Sequence, residues 1–74
     1  MNKERRKRLG KAFDLVTEAE QIIQEVMEEE RESMENLPDN FRYGDRGDEM
    51  QNYIDMMDEV IGYCQDAESV IEQI

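Results

Sequence analysis

Two stretches of the chain repeat apolar residues at alternating steps of three and four. In the second stretch, Met50, Tyr53, Met57, Val60, Cys64, Ala67, Ile71 and Ile74 keep this spacing without a break. A helix turns once in 3.6 residues, so these steps return side chains to one face. Ile54 and Ile61 widen the stripe on one side, and Met56, Tyr63 and Val70 widen it on the other. A stripe this broad exceeds what a single two-stranded seam covers, so the helix is expected to meet at least two neighbours. In the first stretch, Leu9, Ala12, Val16, Ala19, Ile23 and Val26 follow the same steps, with Phe13, Leu15, Ile22 and Met27 beside them. Beyond Met27 the stripe fades to Glu30 and Ser33, flanked by Met34 and Leu37. Gly10 costs about 1 kcal/mol against alanine in a helix interior, which suggests a start near it.

Between the stretches lies Asn36-Leu37-Pro38-Asp39-Asn40-Phe41-Arg42-Tyr43-Gly44. Pro38 has no amide hydrogen and disfavours a helical residue before it. Asp45 is a natural N-cap for the second helix, and Asp48 and Glu49 suit the positive end of its dipole. The pattern predicts helices over about 4–36 and about 46–73, joined by a loop over about 37–45. Similar lengths and a short connection favour an antiparallel hairpin. The predicted fold is therefore all-α, a single two-helix hairpin domain over 1–74, dimerising into a four-helix bundle. Its expected dimer interface is Met50, Tyr53, Ile54, Met57, Val60, Ile61, Cys64, Ala67 and Ile71.

Composition supports self-association. A domain of 74 residues buries too little surface to be robust alone, and such scaffolds lean on a disulfide, a metal or an oligomer. Cys64 is the only cysteine and histidine is absent, which leaves the oligomer. The formal net charge is −11 and is unevenly spread. Residues 1–11 hold six basic side chains against Glu4, or +5. Residues 12–74 hold three arginines against nineteen carboxylates, or −16. A surface this negative repels nucleic acid and anionic lipid and favours basic partners. In a hairpin, Glu68, Glu72 and the terminal carboxylate would lie near Arg5, Arg6 and Arg8, relieving the clash of those cations with their own helix dipole; the alternative is a basic patch that binds an acidic partner. No apolar run approaches a membrane span, and the basic start lacks the apolar core of a secretory signal. One lone cysteine fits a reducing compartment, so a cytoplasmic location is expected.

Catalysis finds little to work with. Serine–histidine and cysteine–histidine pairs need a histidine, and no glycine-rich phosphate loop is present. Asp39 to Gly44 does not space oxygen ligands as an EF-hand does. Arg46-Gly47-Asp48 spells a cell-adhesion tripeptide and is read as coincidence at a helix start. Glu28-Glu29-Glu30-Arg31-Glu32 with Asp55 and Asp58 resembles the magnesium-binding halves of all-α nucleoside triphosphate pyrophosphatases. The second half has aspartate where that pattern has glutamate, and the chain is too short for the remainder of that fold. No catalytic residue, cofactor or metal is therefore expected. Cys64 on the stripe is read as a small packed hydrophobe, and the methionines as core fillers.

Two features point to binding. Leu37, Phe41 and Tyr43 crowd the connection together with Arg42. Aromatics and arginine dominate interface hot spots, although a plug closing the end of the bundle is the preferred reading. On the first helix, Asp14, Glu18, Gln21, Glu25, Glu28, Glu32 and Glu35 repeat at steps of four and three, opposite the apolar stripe. Exposed helices commonly interleave glutamate with lysine, whereas like charges at i,i+4 each cost about 0.2–0.5 kcal/mol. A rod lined with carboxylates imitates a nucleic acid backbone; the competing reading is a merely solvated face. The candidate partner-binding residues are Asp14, Glu18, Glu25, Glu28, Glu32, Glu35, Phe41, Arg42 and Tyr43.

The stretch from Glu28 to Ile61 carries Asn36-Leu37-Pro38, then Arg46-Gly47-Asp48-Glu49-Met50, then Tyr53-Ile54-Asp55. It resembles a group of small acidic proteins from phages and prophages of Gram-positive bacteria. The group has no established activity, so the resemblance assigns no functional residue. It implies a mobile-element setting, where small acidic helical proteins inhibit host defence enzymes, anti-CRISPR proteins among them, sometimes by imitating DNA. The leading expectation is a non-enzymatic module that binds the basic surface of a host protein. The alternatives are an assembly accessory acting through its own oligomerisation and a pyrophosphatase-like protein.

Overall fold

The computed structural model describes residues 1–74 and contains three helices: α1 (Lys3–Glu35), α2 (Asp39–Arg42) and α3 (Asp45–Glu72). Helices α1 and α3 pack along each other as an antiparallel hairpin, and α2 is one turn inside the connection. The start of α1 is capped by Asn2, whose Oδ1 accepts the Arg5 amide at 2.8 Å. This cap satisfies a backbone donor that the helix itself cannot. The helix therefore begins a full two turns before Gly10, which lies exposed in its interior rather than at its start.

The chain leaves α1 at Asn36, whose amide bonds back to the Glu32 carbonyl at 3.0 Å, while the Leu37 amide bonds to that of Met34 at 3.2 Å. Pro38 then caps α2, and its carbonyl accepts the amides of Phe41 and Arg42, each at 2.9 Å. A proline gives up no needed donor at that place. Asp45 is not the cap expected for the next helix. Gly44 holds that position without a side-chain bond, its carbonyl accepting the Asp48 amide at 3.1 Å, and Asp45 enters the first turn beside Asp48. Both carboxylates still favour the positive helix end.

Gly47 explains the seating of the connection. It is buried, and a β-carbon there would fall 1.8 Å from the Arg42 carbonyl oxygen. Only a residue without a side chain lets the end of α2 rest against the first turn of α3. The Arg-Gly-Asp sequence thus has a packing reason for its glycine.

The observed seam is shifted from the expected one at every second position. On α3 it runs through Gly47, Met50, Ile54, Met57, Ile61, Cys64, Glu68 and Ile71. On α1 it runs through Leu9, Phe13, Val16, Glu20, Ile23, Met27, Glu30 and Met34. Ile54 and Ile61 are 3% and 6% exposed, whereas Tyr53 and Val60 are 48% and 42% exposed. Of the residues expected at an interface between copies, Ile54 and Ile61 are buried, and Met50, Met57, Cys64 and Ile71 half-buried, along the side of α3 that meets α1. The reason is width: α3 is apolar in both phases, and one neighbour covers one edge only. On α1, the true phase passes through Glu20 where the expected one had Ala19, which disguised it.

The molecule is a rod of 59 × 15 × 11 Å. Its radius of gyration is 17.1 Å, against about 11 Å for a compact domain of this length. Two layers of helix give no thick interior, and only Gly47, Ile54 and Ile61 are buried.

Candidate interaction surfaces

The contacts across the seam decide which flanks of α1 and α3 share a side. Thr17 Oγ1 donates to Glu68 Oε1 at 2.9 Å, and Gln24, Glu28, Asp58 and Gln65 line one shallow depression with Met27 and Ile61. The polar flanks of both helices therefore lie together. The opposite flanks must share the other side, and there the exposed apolar residues gather. On α1 they are Leu15, Ala19, Ile22 and Val26, with Ala12 at the edge; on α3 they are Tyr53, Met56, Val60, Tyr63, Val70 and Ile74, with Ala67 at the edge. Of the expected dimer residues, Tyr53, Val60 and Ala67 belong to this face.

Tyr53 and Tyr63 are anchored on it. Their hydroxyls donate one turn back to Glu49 at 2.9 Å and Glu59 at 2.7 Å. Each phenol is held above its ordinary value of 10.0, first by that hydrogen bond and then by the charge of the same carboxylate.

The acidic ridge runs along the outer side of α1. Asp14, Glu18, Glu25, Glu28, Glu32 and Glu35 are all exposed. Arg31 pairs with Glu28, the sole ion pair of the molecule. The remaining five carboxylates meet no cation, so the ridge projects an uncompensated row of negative charge.

One carboxylate pair is internal. Glu20 and Glu68 face each other in the seam, and Glu20 Oε1 is shielded from solvent without a partner. Hydrogen bonding with Glu68 raises the Glu20 carboxyl above its ordinary 4.5, followed by desolvation and the Glu68 charge, while Gln65 pulls the other way. This pair was missed because glutamate at a seam position reads as a break in the stripe.

At the open end, Arg6 donates to the Ile74 carbonyl at 2.8 Å. Of the contacts expected there, this one with Ile74 is present, while Arg5, Arg6 and Arg8 make no ion pair with Glu68 or Glu72, and Glu68 instead accepts from Thr17. At the other end, the plug does not form either. Phe41 is 51% exposed and Tyr43 77% exposed, with Arg42 stacked over the Tyr43 ring. Gly47 brings the backbone of α2, at Arg42, directly against α3. Of the three residues expected in the plug, Leu37 alone is half-buried, as is Met34 before it.

Nowhere do three carboxylates or thiols converge as a metal-ligating group. No helix is long and apolar enough to cross a membrane. The architecture defines an all-α helical hairpin with two unlike faces, one apolar and one acidic. Comparison with known proteins yields no matching family model, no matching curated protein and no matching solved structure.

Proposed function

We propose that this chain is a non-catalytic protein-binding module. It acts as a homodimeric four-helix bundle and offers its acidic ridge to a lysine- and arginine-rich surface, such as the nucleic acid channel of a host enzyme. The observation that carries this reading is the ridge itself: six exposed carboxylates along a 33-residue helix, with Arg31 the one cation among them. Surface ion pairs each contribute about 0–1 kcal/mol, so binding needs a row of them, and a straight helix supplies one. The resemblance to small acidic phage proteins supports an inhibitor of a nucleic-acid-binding or defence enzyme, in the cytoplasm of the host. The exposed Phe41 and Tyr43, with the half-buried Arg42 between them, extend the surface at the loop end of the same helix pair.

The test is capture of partners from a bacterial lysate, at low and high salt, by the wild type and by Glu25→Lys/Glu32→Lys. Screening shortens from about 10 Å at 0.1 M to about 3 Å at 1 M, so capture should fall steeply. The variant should keep its helicity and lose the partner. A variant that retains every partner of the wild type would reduce the ridge to a solvated face.

A second reading, an assembly accessory that works through self-association, is favoured by the apolar face. Sedimentation separates the two, since an accessory would continue past the dimer into larger species.

A further inference from the structure

We infer that the apolar face is covered by a second copy of this chain laid antiparallel to the first, with the loop end of each hairpin beside the open end of the other. The inference rests on the self-association proposed above and specifies its geometry.

The area is adequate. From Tyr53 to Ile74 the face extends about 33 Å at 1.5 Å per residue, across two helices each about 10 Å wide. That is about 600–700 Å² per copy, more than single proteins commonly leave exposed as one apolar patch. Two copies would bury about 1,300 Å², within the range of specific interfaces.

The pattern on α1 is self-complementary in one direction only. Along this face the residues run Arg5, Arg8, Ala12, Leu15, Ala19, Ile22, Val26, Glu29 and Ser33. Reversed about Ala19, Arg8 meets Glu29, Ala12 meets Val26, and Leu15 meets Ile22. Ala12 opposes the larger Val26, the bulky Leu15 and Ile22 pack on each other, and beyond them a cation opposes a carboxylate on each side. The contacts of Thr17 with Glu68 and of Glu20 with Gln65 put Ala19 level with Ala67 on α3. A two-fold axis across the face at this level passes over two alanines, where helices approach closely.

Charge selects the same direction. Residues 1–20 carry six cations against Glu4, Asp14, Glu18 and Glu20, and α3 adds Asp66, Glu68 and Glu72 at that end, which stays close to neutral. From Glu25 to Glu49, around the connection, ten carboxylates stand against three arginines. Parallel stacking would set ten carboxylates over ten. Antiparallel stacking sets them over the six cations, and within a distance that salt does not fully screen.

The orientation is read by pulsed electron spin resonance on the full chain, with Cys64→Ser and one nitroxide at Asn40→Cys on the loop. Antiparallel copies put the labels about 50 Å apart, since each lies more than sixteen residues of helix from the axis. Parallel copies put them within about 25 Å, which would overturn the orientation while leaving self-association standing. No dipolar coupling, together with a monomer of 8.8 kDa by sedimentation at 50 μM (about fiftyfold above a micromolar dissociation constant), would overturn both. Charge exchange gives an independent readout. Arg8→Glu or Glu29→Arg alone should weaken the dimer about threefold or more, as exposed pairs do. The double variant should recover it, because each copy then presents the reversed pair; failure to recover would refute the Arg8–Glu29 contact. Neither readout involves Glu25 or Glu32, so the ridge stands or falls separately.

Discussion

Replacing Gly47 with alanine should loosen the connection from α3, and the size of the effect follows from the geometry. The new methyl would lie 1.8 Å from the Arg42 carbonyl oxygen, 2.6 Å from its carbon and 3.0 Å from its Cα. All three are backbone atoms, so no rotamer change relieves the overlap. The end of α2 must retreat by more than 1 Å, and overpacking of this kind costs about 1–3 kcal/mol. Alanine recovers up to about 1 kcal/mol through helix propensity, and less in a first turn. The expected net loss is about 1–2 kcal/mol. Gly62 and Gly10 provide internal controls: nothing lies within 4 Å of a β-carbon at either. Alanine at each should stabilise by about 0.4–1 kcal/mol, because only the backbone freedom of the unfolded chain changes. The assay is thermal unfolding followed by circular dichroism at one protein concentration, since the proposed self-association would make the midpoint concentration-dependent. At about 4–8 °C per kcal/mol for a chain of this size, Gly47→Ala and Gly62→Ala should separate by roughly 10 °C in opposite directions from the wild type. Equal midpoints for the two variants would refute the close approach of α2 to α3.

Two further outcomes are expected. Glu20 is raised above its ordinary 4.5 by Glu68 and desolvation, so the folded state binds a proton that the unfolded state has released. Its contribution is therefore fully present below 4.5, and is lost as pH rises through the raised value of the Glu20–Glu68 pair. Urea midpoints measured from pH 4 to pH 7 should show this decline, and Glu20→Gln should flatten it; an unchanged slope in that variant would remove the pair as its cause. Ile61→Ala, at a buried seam position, should cost about 2–4 kcal/mol at any protein concentration. Val60→Ala, one residue away on the open face, should instead weaken self-association, with a loss that grows on dilution. Unfolding curves at two concentrations distinguish them, and identical behaviour would mean the seam phase is wrong.

The periodicity of apolar residues alone determined that this chain is two long helices with one break. Steps of three and four repeated over seven turns admit no strand, and Pro38 admits no continuous helix. The carboxylates of the ridge were legible for the same reason, because residues opposite an apolar stripe on a helix are exposed wherever the helix packs. What the pattern left undetermined was phase. Tyr53 and Ile54, or Val60 and Ile61, are equally apolar alternatives, and the choice between them depends on where α1 lies, which is information held in another part of the chain. The tertiary structure made that choice by burying Ile54 and Ile61 against α1. In doing so it moved Tyr53, Val60, Leu15, Ile22 and Val26 onto one open side. The same packing turned Glu20 and Glu68 from apparent interruptions into a facing pair, and turned Gly47 from part of a familiar tripeptide into the point where two backbones meet. Those are properties of distances between residues far apart in sequence, and no local pattern encodes them.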